Sequence, residues 1–254
     1  MRCIVSHCLW LVPILLWASC SVNDLASGTG VGNPGITKVS IRAAENPDTT
    51  ALNILPSVKN EITSIDKGGL LFTVTAITIN VEYFRFLTAD EQKAEIPLNG
   101  PFIFDAISGQ PTPEIKNFFL PTGKYAEMRC YITNKNSTTV PYAFELSGYF
   151  DYKNQKHEFR FKLESRELAA YKYKGPAFTI NAEDSTLFSL ILNADLWLKK
   201  VDIGASLDNS SISLDPSGDL IFDNTTTGQE YDKIKKSIAK SIIQSGYLLI
   251  TSLD

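Results

Sequence analysis

Tyr142 to Leu163 reads YAFELSGYFDYKNQKHEFRFKL, and its reading decides the fold. Tyr142, Phe144, Leu146, Gly148 and Phe150 recur at every second position, a polar turn DYKNQK follows, and Phe159, Phe161 and Leu163 recur in the same way. A period of two places successive side chains on opposite faces of a strand, so the stretch is a β-hairpin with one apolar face. Two registers keep the apolar faces together. Pairing Phe150 with Phe159 sets Asp151 opposite Glu158 and Glu145 opposite Glu164. Sliding the strands by two residues sets Asp151 opposite Lys156, Glu145 opposite Lys162 and Leu146 opposite Phe161. Opposite charges facing one another across strands contribute about 0.2 to 1 kcal/mol per pair, so the second register is expected. It centres the turn on Lys153 and Asn154, and Asn tolerates left-handed φ.

The same period governs much of the chain on either side. Ile36 to Ala44 (ITKVSIRAA) alternates, and Leu70 to Phe86 (LLFTVTAITINVEYFRF) is a long β-branched and aromatic run. Its phase shifts: Phe72, Val74 and Ala76 share one face, Ile77, Ile79 and Val81 the other, and Phe84 and Phe86 return to the first. Bulges shift alternation in this way, and so does a strand that passes between two sheets. Leu187 to Leu196 (LFSLILNADL) puts Phe188, Leu190, Leu192 and Ala194 on one side, followed by Trp197 and a Leu198-Lys199-Lys200 turn. Residues 204 to 228 are rich in Ser, Asp, Asn, Gly and Thr, with one apolar island, Leu220-Ile221-Phe222.

A helix is predicted near the carboxyl end. Tyr231, Ile234, Ile238 and Ile242 recur at three and four residues, with Lys233, Lys235, Lys236 and Lys240 mostly off that stripe. Thr227 and Glu230 have capping-box spacing, and Gly246 is placed as the stop. An amphipathic helix lying on a membrane is the rival reading. The stripe is too narrow for it, and packing on the β domain is expected.

The amino terminus has a different character. Ile4 to Trp17 is almost wholly apolar and too short to span a bilayer, which takes about 20 residues. Arg2 before it and Ala18-Ser19 after it complete the pattern of a secretory signal peptide over residues 1–19. Ser21 to Gly35 (SVNDLASGTGVGNPG) reads as a flexible tether that reaches at most about 50 Å.

Leu16-Trp17-Ala18-Ser19-Cys20 resembles the lipobox of bacterial lipoproteins. The resemblance implies that Cys20 becomes the first residue and carries diacylglycerol. Ser21 in place of Asp implies the outer membrane of a double-membrane bacterium. Cys3 and Cys8 leave with the signal, so Cys130 is the only remaining thiol and is expected in the core, in phase with Ala126, Met128 and Ile132. Farther on, Gly100–Gly109 (GPFIFDAISG) with Leu120–Tyr125 (LPTGKY) resembles an uncharacterised family of bacterial lipoproteins. That family implies a transthyretin-like or immunoglobulin-like β-sandwich, with similar layout from about Gly68 to Tyr247 and no catalytic residues to carry over. The expected organisation is a signal peptide (1–19), lipidated Cys20 and tether (20–35), an antiparallel β-sandwich (36–200), and a loop-rich segment with a packed helix (201–254).

Function is bounded mainly by what is missing. With 24 Lys+Arg against 28 Asp+Glu, a net charge of −4 and no basic cluster, nucleic acid is not an expected partner. His157 is the only histidine after the signal peptide, which rules out a multi-histidine metal site, and no G-x-S-x-G elbow supports a serine triad around it. It is expected at the solvent or the sheet edge. Asp215, Asp219 and Asp223 offer oxygen ligands for calcium, but their spacing is not that of an EF-hand, and no cofactor is implied. Tyr149 and Tyr152, placed on or beside the outer face of the hairpin, and Tyr171 and Tyr173 in the next segment are candidate contacts for a glycan or an envelope-protein ligand, since tyrosine combines rigid area with a polar tip. A binding module is therefore the expected class, with an extracytoplasmic hydrolase or a purely structural envelope protein as alternatives.

Overall fold

The computed structural model describes residues 34–45, 61–116, 118–133, 142–164, 170–173, 175–182 and 184–253. Gly32–Asp254 forms one compact unit. Among the described residues it is mainly β, with a four-stranded sheet, a ten-stranded sheet and two α-helices.

The long strand β3 (Leu71–Thr88) organises the larger sheet. β8 (Phe144–Tyr152) pairs with its first half, Phe72–Ile79, and β7 (Gly123–Ile132) with its second, Val81–Thr88. β2 (Ile62–Ile65) and β4 (Glu95–Asp105) pair with overlapping residues of β3 and so line its other edge. The sheet continues from β8 to β9 (Gln155–Leu163) and β13 (Leu220–Phe222), and from β7 to β10 (Tyr171–Lys172) and β11 (Phe178–Ile180); β5 (Gln110–Thr112) adds to β4. The phase shifts of β3 are bulges: its register slips between Val74 and Ala76 against β8, and between Val81 and Tyr83 against β4 and β7. Ala76 falls at the first slip and is exposed rather than sharing a face with Phe72 and Val74. A slip between Leu87 and Thr88 leaves Ala126 of β7 exposed in the same way, although Met128, Cys130 and Ile132 are buried as expected.

The hairpin adopts the charge-paired register. Asp151 faces Lys156, Glu145 faces Lys162 and Leu146 faces Phe161. Lys153 and Asn154 turn the chain with φ of 51° and 62°, the left-handed pair that a tight two-residue hairpin needs.

The second sheet has the order β14 (Gly246–Ser252), β12 (Ser185–Asn193), β1 (Gly35–Ala44), β6 (Phe118–Leu120). It departs from the expected antiparallel scheme, because β1 and β12 run parallel, as do β9 and β13. Parallel neighbours need a crossover, and every strand of the larger sheet except β13 lies between β1 and β12 in the chain. In the middle of β12, Ser189, Leu190 and Ile191 are all buried, the two-sided burial typical of a central parallel strand. Side chains of both sheets meet in one core: the Phe86 and Phe178 rings each lie 5.2 Å from that of Phe188. Phe161 packs edge-on against Phe222 at 4.8 Å, and Phe72 stacks on Phe150 at 4.9 Å.

The segment from 201 onward does not stand apart. It contributes β13 to one sheet and β14 to the other, together with α1 (Ile203–Asp208) and α2 (Gln229–Ser245). α2 packs through Ile234, Ile238 and Ile242, all buried, and Trp197 Nε1 donates to Ser245 Oγ at 3.1 Å. Its cap differs from the expected box. The N-cap is Gly228 at φ 138° and no side chain caps it. Instead the buried Lys235 reaches back to donate to the carbonyls of Asp223 and Thr226, at 2.9 and 3.2 Å. Gly246 ends the helix at an extended φ of −74° and the chain runs straight into β14. Glycine is needed there for proximity, since a Cβ would lie 2.9 Å from the Tyr171 ring. In the LPTGKY segment, the buried Tyr125 donates its hydroxyl to the Pro121 carbonyl at 2.7 Å.

Candidate functional site

The register of the hairpin dictates its outer face. Because Phe144, Leu146, Phe150, Phe159 and Phe161 turn into the core, Ser147 and Tyr149 must turn out, opposite Arg160 and Glu158. These four residues, with Thr75, Gly148, Lys156, His157 and Phe159, line a surface groove of about 450 Å³. The Lys156 ammonium sits 3.4 Å from the centre of the Tyr149 ring, and the Tyr149 hydroxyl lies 3.5 Å from a Glu61 carboxylate oxygen. Thr75 Oγ1 reaches the Ser147 carbonyl at 3.5 Å, across the β3 bulge. Gly148 keeps this surface closely packed: a Cβ there would lie 1.9 Å from the Thr73 carbonyl oxygen. The groove therefore offers the Tyr149 ring, the hydroxyls of Thr75, Ser147 and Tyr149, and charges of both signs, held on three adjacent strands.

The other three tyrosines occupy different settings. Tyr152 has the parity of Phe150 and lies on the core side of the hairpin, not its outer face. Its hydroxyl donates to Asp208 Oδ1 at 2.7 Å, and Lys153 pairs with the same oxygen at 3.0 Å, which fastens the hairpin tip to α1. The Tyr152 hydroxyl first, and then Lys153, hold the Asp208 carboxyl below its usual range.

Tyr171 is buried, at 7 % exposure, so it is a packed side chain and not an exposed anchor. Its hydroxyl bonds the Leu248 backbone, joining the edge strands of the two sheets, and burial pushes its pKa up to about 12. Tyr173 is half-buried and donates to the Pro176 carbonyl at 3.1 Å. Tyr171 and Tyr173 line a second groove of about 450 Å³ with Ile243, Gly246, Tyr247 and Leu248. Tyr247 had no periodic signal of its own, because β14 follows the helix without a turn.

The chemistry needed for catalysis is not assembled around His157. The ring shares the parity of Phe159 on β9, is half-buried beside Phe150 at 5.5 Å and borders the surface groove at Tyr149. Its Nδ1 lies 2.7 Å from the Gly218 carbonyl, so that nitrogen donates to backbone where a triad would place a carboxylate. Burial pushes the Cys130 thiol up, which suits an inert core residue.

Two of the three aspartates offered to calcium accept hydrogen bonds from the amides of local turns, and Asp219 Oδ2 accepts from Ser217 Oγ at 3.2 Å. Asp215 accepts from the Ser217 and Asp219 amides at 2.8 and 2.9 Å, and Asp223, beyond β13, accepts from Thr225 and Thr226 at 2.9 and 3.0 Å. Among the described residues no group of three or more metal-ligating side chains is assembled. Cys20 lies outside the described residues.

A second aromatic cluster was not singled out from the sequence. Tyr83 and Tyr131 face one another across β3 and β7 with ring centres 4.2 Å apart, and the Arg85 guanidinium lies 4.9 Å from the Tyr83 ring. Only the bulge at Val81 brings these residues into one register. No family model, curated protein or solved structure matches the chain.

Proposed function

We propose that this is a lipid-anchored protein of a bacterial cell envelope whose β-sandwich domain binds a glycan on the outer face of the β8–β9 hairpin without turning it over. The observation that carries the binding site is the groove at Tyr149, where an aromatic ring is surrounded by the side chains of Thr75, Ser147, Lys156, Glu158 and Arg160. A sugar ring presents a C–H face to an aromatic ring and hydroxyls to hydroxyl and charged neighbours, which this set supplies. Lys156 covers the ring in the free protein. An exposed cation–aromatic contact is worth about 0.5 to 1 kcal/mol, so displacing it costs little.

The sandwich reading is supported by the shared core and by the Tyr125–Pro121 contact, which resembles the tyrosine corner of immunoglobulin-like domains. The parallel β1–β12 pair sets it apart from a purely antiparallel member of that class. Anchoring rests on Trp17-Ala18-Ser19-Cys20-Ser21, and Ser21 favours the outer membrane. Intact-mass analysis of the membrane fraction should find a chain starting at diacylated Cys20, and Cys20→Ala should release it or leave a precursor. Soluble native protein cut elsewhere would refute the anchor.

For the ligand, residues 32–254 screened against cell-wall polysaccharides should be retained through Tyr149. Release of a hydrolysed product that depends on His157 would overturn the binding class.

A further inference from the structure

We infer that the chain forms a reversible two-fold dimer by pairing the open edge of β14 with the same edge of a second copy. Elsewhere the sheets end in strands of two to four residues, namely β2, β5, β6, β10, β11 and β13. The stretch of β4 that β5 leaves uncovered, residues 95–102, carries Pro97 and Pro101, which have no N–H to offer. Short edge strands and edge prolines keep a sheet from pairing with another chain. β14 has neither device. It ends the four-stranded sheet, and its seven residues, GYLLITS, carry no charge and no proline and pair with β12 without a bulge.

The hydrogen bonds of β14 identify its open groups. In an antiparallel pair the N–H and C=O of one residue point to the same side, and the side alternates along the strand. The Leu253 amide donates to the Ser185 carbonyl at 2.8 Å, so Tyr247, Leu249 and Thr251 also face β12, while Leu248, Ile250 and Ser252 face away from it. The Tyr171 hydroxyl takes the Leu248 backbone. Among the described residues nothing takes the N–H and C=O of Ile250 and Ser252.

This edge is complementary to itself. With a two-fold axis through Thr251, each Ile250 lies opposite Ser252 of the second copy, and the two pairs exchange four N–H···O bonds without calling on Leu248. Leu248 and Ile250 pack on the core, so Leu249, Thr251 and Leu253 share the outer face. There Leu249 meets Leu253 of the second copy and covers a side chain that is 38 % exposed in the single chain. Residues 246–253 include no charged side chain, so no charge is set against its own copy across the axis, where like charges would oppose pairing.

The contact is small. Residues 249–253 from each side make less than the roughly 1,200 Å² of a standard interface, so the dimer should be weak and in exchange with monomer. It shares no residue with the groove at Tyr149 and stands or falls independently of any ligand there.

The test is sedimentation equilibrium of residues 32–254, the compact unit, from about 10 μM to about 1 mM. The weight-average mass of wild type should rise with concentration from that of the monomer towards twice that value. Thr251→Lys and Thr251→Glu each set two like charges face to face at the axis and should weaken dimerisation about tenfold or more. An equimolar mixture of the two variants should associate more tightly than either alone, a rescue that a merely misfolded variant would not show. Leu253→Ser should weaken the dimer by a smaller factor. Wild type that stays monomeric at the highest concentration, Thr251→Lys that dimerises like wild type, or a mixture that associates no better than its parts would each overturn the inference.

Discussion

Tyr149 and Tyr171 are the same side chain put to opposite uses. Tyr149 stands half-buried on the outer face of β8, with the exposed Lys156 over its ring and its hydroxyl beside Glu61. Tyr171 sits where the edges of the two sheets approach, its ring against Gly246 and its hydroxyl on Leu248. Tyr149 comes from the nine-residue β8 and Tyr171 from the two-residue β10, and residue type alone does not separate them. What separates them is whether the opposing element is solvent or another sheet, and that is decided by long-range topology. A half-buried ring on an outer face can still meet a ligand, whereas a buried ring with a satisfied hydroxyl contributes to stability and is closed to ligands.

Several substitutions would break or sharpen this contrast. The largest effect is expected on the buried side, at the element that brings Gly246 to Tyr171: Ile238→Asp places an unpaired carboxylate among fully buried side chains and should cost about 4 kcal/mol or more by denaturant unfolding. Unchanged stability would mean that α2 is not packed as described. Tyr171→Ala should cost about 3 kcal/mol, in the range for emptying an aromatic core site, and Tyr171→Phe about 1 kcal/mol for the lost hydroxyl contact. Tyr149→Ala, by contrast, should stay within about 0.5 kcal/mol of wild type, as surface substitutions usually do.

The buried tyrosines also predict an alkaline transition. Burial raises the pKa of both Tyr125 and Tyr171 from 10.0 to about 12, so the neutral ring is favoured in the folded state. Their contribution is fully present below pH 10 and is lost as pH rises towards 12. Ultraviolet titration should show late-ionising tyrosines coupled to unfolding, with one fewer in Tyr171→Phe. Ionisation of every tyrosine near the ordinary value while the fold persists would contradict the burial.

The features legible in the sequence were those set by neighbours close in the chain. The hairpin register followed from Asp151, Lys156, Glu145 and Lys162, because both strands and their turn lie within one continuous stretch. The outward placement of Tyr149 followed from the same alternation. Tyr152 and His157 share the parity of Phe150 and Phe159 on their own strands, so the same alternation puts them on the core side; only their partners, Asp208 and Gly218, which come from a distant part of the chain, were out of reach of the local pattern. The parallel β1–β12 pair was hidden for a related reason: the intervening strands carry antiparallel patterns of their own. The strand β14 was missed because Gly246 reads as a helix stop, although the glycine is there to let the Tyr171 ring pass.

The most direct test of the account is retention of residues 32–254 on immobilised cell-wall polysaccharide, comparing wild type, Tyr149→Ala and Tyr171→Phe, each checked for folding by its melting curve. The account predicts that Tyr149→Ala melts like wild type and loses tenfold or more in retention, while Tyr171→Phe melts earlier and is retained like wild type. Full retention of a folded Tyr149→Ala protein, or loss of retention in a folded Tyr171→Phe protein alone, would contradict it.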